Sequence, residues 1–173
     1  MKRITLVGLL GLSLYMAGCT ADLKSGRQFS GDLVPPPADK VKVYLVRNDN
    51  FMAAKPPYIY VNVGKPNEKG EFGEPPRLAA VVGNDMFAPV LMDPGAMLVH
   101  AGTKEVFQLK PGEIRCIEIG GKFRGVTIFV TEEMELDECK RVLQGRDEGV
   151  DAREAIVRIG RPDPASLRFY SAN

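Results

Sequence analysis

Between residues 41 and 131 the chain sets short β-branched and aromatic runs between clusters of Gly, Pro, Asn and Asp, and this punctuation constrains the fold more than any other feature. The runs are 41–47 (VKVYLVR), 58–64 (YIYVNVG), 78–83 (LAAVVG), 87–93 (FAPVLMD), 96–102 (AMLVHAG), 105–110 (EVFQLK), 113–119 (EIRCIEI) and 125–131 (GVTIFVT). Alternation is clearest in 58–64, where Ile59, Val61 and Val63 share one face and Tyr58, Tyr60 and Asn62 the other. The second face reads as packing beneath a sheet or loop in preference to an open contact row. Pro89 marks 87–93 as an edge strand or one that begins late. The expected fold is all-β: a mainly antiparallel β-sandwich of about seven or eight strands with one C-terminal α-helix.

Two joints sharpen that expectation. Pro94-Gly95 and Pro111-Gly112 each place Pro where φ is preset and Gly where φ must be positive, as a type II turn demands. Each follows an apolar run and precedes another, which suggests an antiparallel meander, or loops that pass from one sheet to the other. Residues 65–77 (KPNEKGEFGEPPR) carry too much charge, Gly and Pro for a strand and read as an exposed loop.

One helix is expected after Thr131, which can cap it, with Glu132 and Glu133 at its positive end and Lys140 and Arg141 at the other. Leu136, Cys139 and Leu143 recur at helical spacing, and Gly145 terminates. Asp151 and Glu154 have capping-box spacing, so a second, shorter helix is expected at 152–159. The last dozen residues read as loose or laid over the surface.

Upstream, Lys2 and Arg3 precede an apolar run from Ile4 to Met16, too short to span a bilayer and ordered like a secretory signal. Met16-Ala17-Gly18-Cys19 resembles the lipobox of bacterial lipoproteins, in which the Cys thiol takes palmitate-class acyl chains and cleavage exposes its amine. Several chains on Cys19 would hold the protein to a membrane where one would not. Thr20 stands where the Gram-negative sorting rule has Asp for inner-membrane retention, which points to the outer membrane and its periplasmic face. Residues 20–40 are polar, lack either hydrophobic period and contain Pro35 to Pro37, as a semi-rigid spacer would. A segment packed on the body through Phe29 or Val34 is the alternative. The expected organisation is a leader at 1–18, a lipidated N-terminus and Pro-rich tether at 19–40, the sandwich and its helix at 41–145, and a tail at 146–173.

Charge excludes one class of partner. With 23 basic and 22 acidic residues, and two of the basic ones in the leader, there is no concentrated cationic surface for nucleic acid. Once Cys19 is acylated, Cys116 and Cys139 remain, the number that one bridge requires in an oxidising compartment. Such a bridge would contribute about 3 kcal/mol by loop closure. Two separate buried thiols are the alternative.

Candidate chemistry is sparse. His100 is the single histidine, which argues against the usual zinc sites, and no Gly-x-Ser-x-Gly elbow accompanies it. Its place at a strand end favours a hydrogen-bonded structural role. The spacing of Asp85, Asp93 and Glu118 singles out no carboxylate pair. The glycines of 119–125 (IGGKFRG) lack the strand-to-helix context of a phosphate loop. No cofactor, metal or catalytic residue is expected, and the chain reads as a non-enzyme.

The path from VYLVRND through PPYIYVNVG, NDMFAPVLMDPGAMLVHA and EVFQLKPGEIRCIEI to TIFVTEEMELDECKRVL resembles a family of bacterial lipoproteins catalogued as domain of unknown function 2846. The likeness covers about residues 41–143 and is marked by Tyr44, Arg47 and the two Pro-Gly turns. It implies a small β-sandwich without an established reaction. The function expected is a lipid-anchored envelope module that binds or scaffolds, with an accessory subunit of an envelope or secretion assembly as the alternative. An envelope hydrolase centred on His100 would need that residue in a cleft beside a carboxylate and a nucleophile.

Overall fold

The computed structural model describes residues 24–48, 58–101, 105–123 and 127–159. Cys19, Thr20 and the leader lie outside the described residues, as does the tail after Ile159. The described chain runs β1 (Lys24–Gln28), β2 (Val41–Arg47), β3 (Tyr58–Gly64), β4 (Arg77–Val81), β5 (Met86–Met92), β6 (Gly95–Val99), β7 (Val106–Leu109), β8 (Ile114–Phe123), β9 (Thr127–Glu133), α1 (Leu136–Leu143), β10 (Asp147–Asp151) and α2 (Ala152–Ile159).

The fold is mostly β. Its strands follow one path, β7-β6-β3-β4-β10-β5-β2-β8-β9, with β1 added beside β10. Two pairings are parallel, β2 with β8 and β5 with β10, and the others are antiparallel. The pairing is thus mainly antiparallel, as expected, but the strands do not divide clearly into two sheets: they form one mixed, curled sheet continuous through β10. Curling brings Val43 and Leu45 of β2, Ile117 of β8, Val61 of β3, Met97 of β6 and Phe107 of β7 into one apolar cluster.

β2 shows why its sequence lacks clean alternation. Strands flank it on both sides, with Val41, Val43 and Leu45 in the inner cluster and Tyr44 and Val46 in an outer one. A strand covered on both faces reads as a near-continuous apolar run, and VKVYLVR does. The outer cluster sits beneath the N-terminal segment, through Phe29 and Leu33, and beneath α1, through Cys139 and Leu143. α2 covers the opposite part of the sheet, where Ala155 packs with Val81 and Val150.

The Pro-Gly joints carry the chain across the fold, because β5 does not pair with β6 nor β7 with β8. At the second joint, Gly112 has φ 79°, and Glu113 N–H donates to the Lys110 carbonyl at 3.2 Å, as a type II turn requires. The first joint departs from that form. Gly95 has φ 138°, and a Cβ there would lie 3.5 Å from the Gly64 carbonyl oxygen.

Three boundaries differ from the sequence reading. Thr131 is not a helix cap; it is buried in β9 opposite Ile119, so α1 begins later, at Leu136 after Glu135. Backbone pairing with the long β8 continues through Glu133 and displaces the first helical turn. Residues 24–40, read as tether, carry β1 and bury Phe29 and Leu33. The Phe29 ring meets Tyr44 and Phe87 edge-on, at centroid distances of 6.5 and 5.8 Å. Residues 147–151, read as tail, form β10 at the join of the sheet. The helix at 152–159 has the expected bounds, and Asp151 Oδ1 accepts from the Glu154 N–H at 2.8 Å.

Candidate functional site

β10 is too short to fill the gap between its neighbours. It pairs with β5 through Asp147 and Glu148 and with β4 through Val150 and Asp151. Gly149 sits at the crossing point, where a Cβ would collide with the Val81 carbonyl oxygen, so only glycine fits between these backbones. The chain then turns into α2. Among the described residues, no strand separates Arg77–Ala79 of β4 from Pro89–Met92 of β5.

That seam opens as a cavity of about 470 Å³. Val61, Ala79, Val90 and Met92 give it an apolar floor continuous with the inner cluster. Arg77, Asp151 and Arg153 surround the mouth, and Leu91 stands beside it 49% exposed. An open groove that offers polar and apolar surface together suits non-covalent capture of an amphipathic side chain.

Pro89 determines how such a guest can be held. Lys42 N–H donates to Glu113 and Asn48 N–H to Ile119, so even-numbered residues of β2 turn their backbone groups toward β8. The odd ones therefore face β5, where they pair with Met86, Ala88, Val90 and Met92. Phe87, Pro89 and Leu91 consequently direct their backbone groups to the β10 and seam side. Pro89 costs no bond to β2 and deletes a donor from the open edge, which discourages strand addition.

No protein-family model, curated protein or solved structure matches the chain.

Cys116 and Cys139 are joined by a disulfide that closes a separation of 23 residues with Cα atoms 6.2 Å apart. It ties β8 to α1 in the outer cluster, away from the seam lining. Pro94 and Asp93 line a neighbouring recess of about 270 Å³ with Asn62 and Arg77. Pro111 and Gly112 stand at another joint, where Gly112 N–H donates to the Lys40 carbonyl at 2.8 Å. Cys19 lies outside the described residues.

His100 is not in the seam. Its Nε2 is 2.5 Å from Asn62 Oδ1, and its backbone N–H donates to the Tyr60 carbonyl at 2.8 Å. Asn62 in turn donates to the Glu74 carbonyl at 2.6 Å, so the amide of this β3 residue ties the 65–76 loop to the strand and links both to His100. The three carboxylates considered in the sequence remain separate. Asp85 lies in the β4–β5 turn, Asp93 pairs with Lys40 at 2.6 Å, and Glu118 accepts from Asn48 at 3.0 Å. Lys40 holds the Asp93 carboxyl below its ordinary value through a hydrogen bond and its charge. Among the described residues no group of His, Cys, Asp and Glu is placed to hold a metal.

A second recess, about 330 Å³, lies beneath the N-terminal segment and is lined by Arg27, Phe29, Lys42, Tyr44, Phe87 and Glu148, among others. Burial raises the Tyr44 phenol above its ordinary value, against the opposing hydrogen bond from Val34 N–H at 3.2 Å. Tyr44 thus acts here as an anchor for the segment that covers it.

Two features are not legible in the sequence: the burial of Arg47, named there only as a mark of the resemblance, and the seam. Arg47 is 2% exposed, with Nη1 donating to the Val82 carbonyl at 3.1 Å. A strand-terminal Arg ordinarily reads as solvated, and nothing local distinguishes this one. The seam was also hidden, although Pro89 pointed to an edge strand or a late start and Gly149 marks a close backbone approach.

Proposed function

We propose that this chain is a lipid-anchored binding module of the cell envelope, held through Cys19 at the periplasmic face of the outer membrane and working without catalysis. On this reading the curled sheet is a β-sandwich in the manner of the lipoprotein family it resembles. The observation that carries the binding role is the seam between β4 and β5, an open groove of about 470 Å³ lined by apolar residues and by Arg77, Asp151 and Arg153, beside the exposed Leu91. The Cys116–Cys139 disulfide supports export, since such bonds persist in oxidising compartments. Pro89 favours a partner that inserts side chains over one that adds a strand.

A photocrosslinking residue at Leu91 in intact cells is expected to capture a defined envelope protein, and a crosslinker at Val106 is not. Leu91→Glu, read with the crosslinker moved to the exposed Arg77 on the other wall of the seam, should abolish capture without changing the amount of folded protein. Retention of small molecules or glycans alone would overturn the protein-partner reading. Cys19→Ser should leave an unprocessed, unacylated chain; normal processing and membrane fractionation of that variant would overturn the anchor.

The second reading, an accessory subunit of an envelope or secretion assembly, is favoured by the same open β5 edge. It predicts that Leu91 crosslinks to one partner in fixed stoichiometry within a large complex.

A further inference from the structure

The acylated N-terminus and the first strand are close in sequence. Cys19 and Lys24 are five residues apart, so their Cα atoms can be no more than about 18 Å from one another. A long arm is thereby excluded, because β1 is already paired with β10. The end of the body that carries β1 must lie near whatever surface receives the acyl chains.

α2 belongs to that end. Arg158 Nη1 donates to the Lys24 carbonyl at 2.8 Å, which fixes the last turn of α2 beside the first residue of β1. The helix buries Ala155 and turns Arg153, Ile156 and Val157 outward. These positions are spaced i, i+3 and i+4, so they share one face. Val157 is 82% exposed, the most exposed large aliphatic residue among those described. At the same end a cation stands outside the acid it pairs with: the Lys24 side chain is 48% exposed over Asp147 at 28%.

We infer that the β1–α2 end is a membrane-contact face, on which the protein lies against the phospholipid surface that holds its own anchor. Ile156 and Val157 enter the headgroup boundary while Lys24, held beside the last turn of α2, faces lipid phosphates. This rests on acylation of Cys19. Its consequence is orientation: the body is held close to the bilayer by one particular end, and tumbling on a spacer is prevented.

The chain contains no Trp, so one introduced indole reports a single place. The test uses the full acylated protein in vesicles of phosphatidylethanolamine and phosphatidylglycerol, with Val157→Trp compared to Val106→Trp on the strand at the far end of the sheet order. Both sites are exposed, so neither variant disturbs the core. With lipids brominated near the headgroup, Trp emission in Val157→Trp should be blue-shifted and quenched about twofold, and Val106→Trp should emit as in water. Equal, water-like emission from both variants in protein that floats with the vesicles would overturn the contact face and leave the anchor standing. Failure to float, with no acyl label on Cys19, would overturn the anchor and the contact face together.

Discussion

β2 and β1 are both paired strands, yet they are strands for opposite reasons. β2 is buried along nearly its whole length, flanked by β5 and β8, and contributes side chains to the clusters on both of its faces. β1 is polar, largely exposed, paired only with β10 and irregular in register between Lys24 and Gln28. Its side chains hold it by ion pairs, Lys24 with Asp147 and Arg27 with Glu148, the latter at 2.5 Å. Apolar burial near 25 cal/mol per Å² fixes the first strand, and exposed ion pairs of small worth position the second. The body should therefore be rigid at β2 and should open first at β1.

The largest break in that contrast is expected in β2. Leu45→Ala removes a fully buried side chain from the inner cluster and should cost about 2–5 kcal/mol, seen as a lower urea midpoint for the whole domain. A local loosening without a shift in the midpoint would show that β2 is not part of the cooperative core.

Removing the disulfide should follow in size. The paired change Cys116→Ala and Cys139→Ala deletes a 23-residue closure and should cost about 3 kcal/mol by unfolding at equilibrium. Because Cys116 lies opposite Tyr44 of β2, the loss should be global and leave the β1 amides no more open than the rest.

The smallest effect is expected from acid at β1. Lys24 and Gln28 hydrogen-bond to Asp147 and hold its carboxyl below the ordinary value of 3.8. A group whose folded value is lowered contributes above its unfolded value, and that contribution fades as pH falls through the folded one. Amide exchange at Lys24–Gln28 should therefore rise below pH 3.8 while Val43 and Leu45 stay protected. Simultaneous loss of protection in both strands would remove the distinction between them.

The same contrast explains how much could be read beforehand. The strand at 58–64 was visible because Ile59 and Val61 enter one cluster at alternate positions, and 41–47 because nearly every side chain is buried. The helix at 152–159 was visible through the Asp151–Glu154 cap. Of the candidate site, Pro89 pointed to an edge strand or a late start, and neither holds. β5 begins at Met86 and lies between β2 and β10, with only its end beyond Phe87 unpaired on the β10 side among the described residues. The cavity beside it was not legible, because Val61, Ala79 and Met92 meet only when the sheet curls.

Residue order alone accounts for the β character of 41–131, the turn at Pro111-Gly112 and the amphipathic stretch that becomes α1, since each depends on side chains and dihedrals within a few positions of itself. β1, β10, the continuation of β9 past Thr131 to Glu133 and the burial of Arg47 arise differently. Their backbones are recruited by partners far away in the chain, and the hydrogen bonds and ion pairs that recruit them depend on proximity created by the folded sheet.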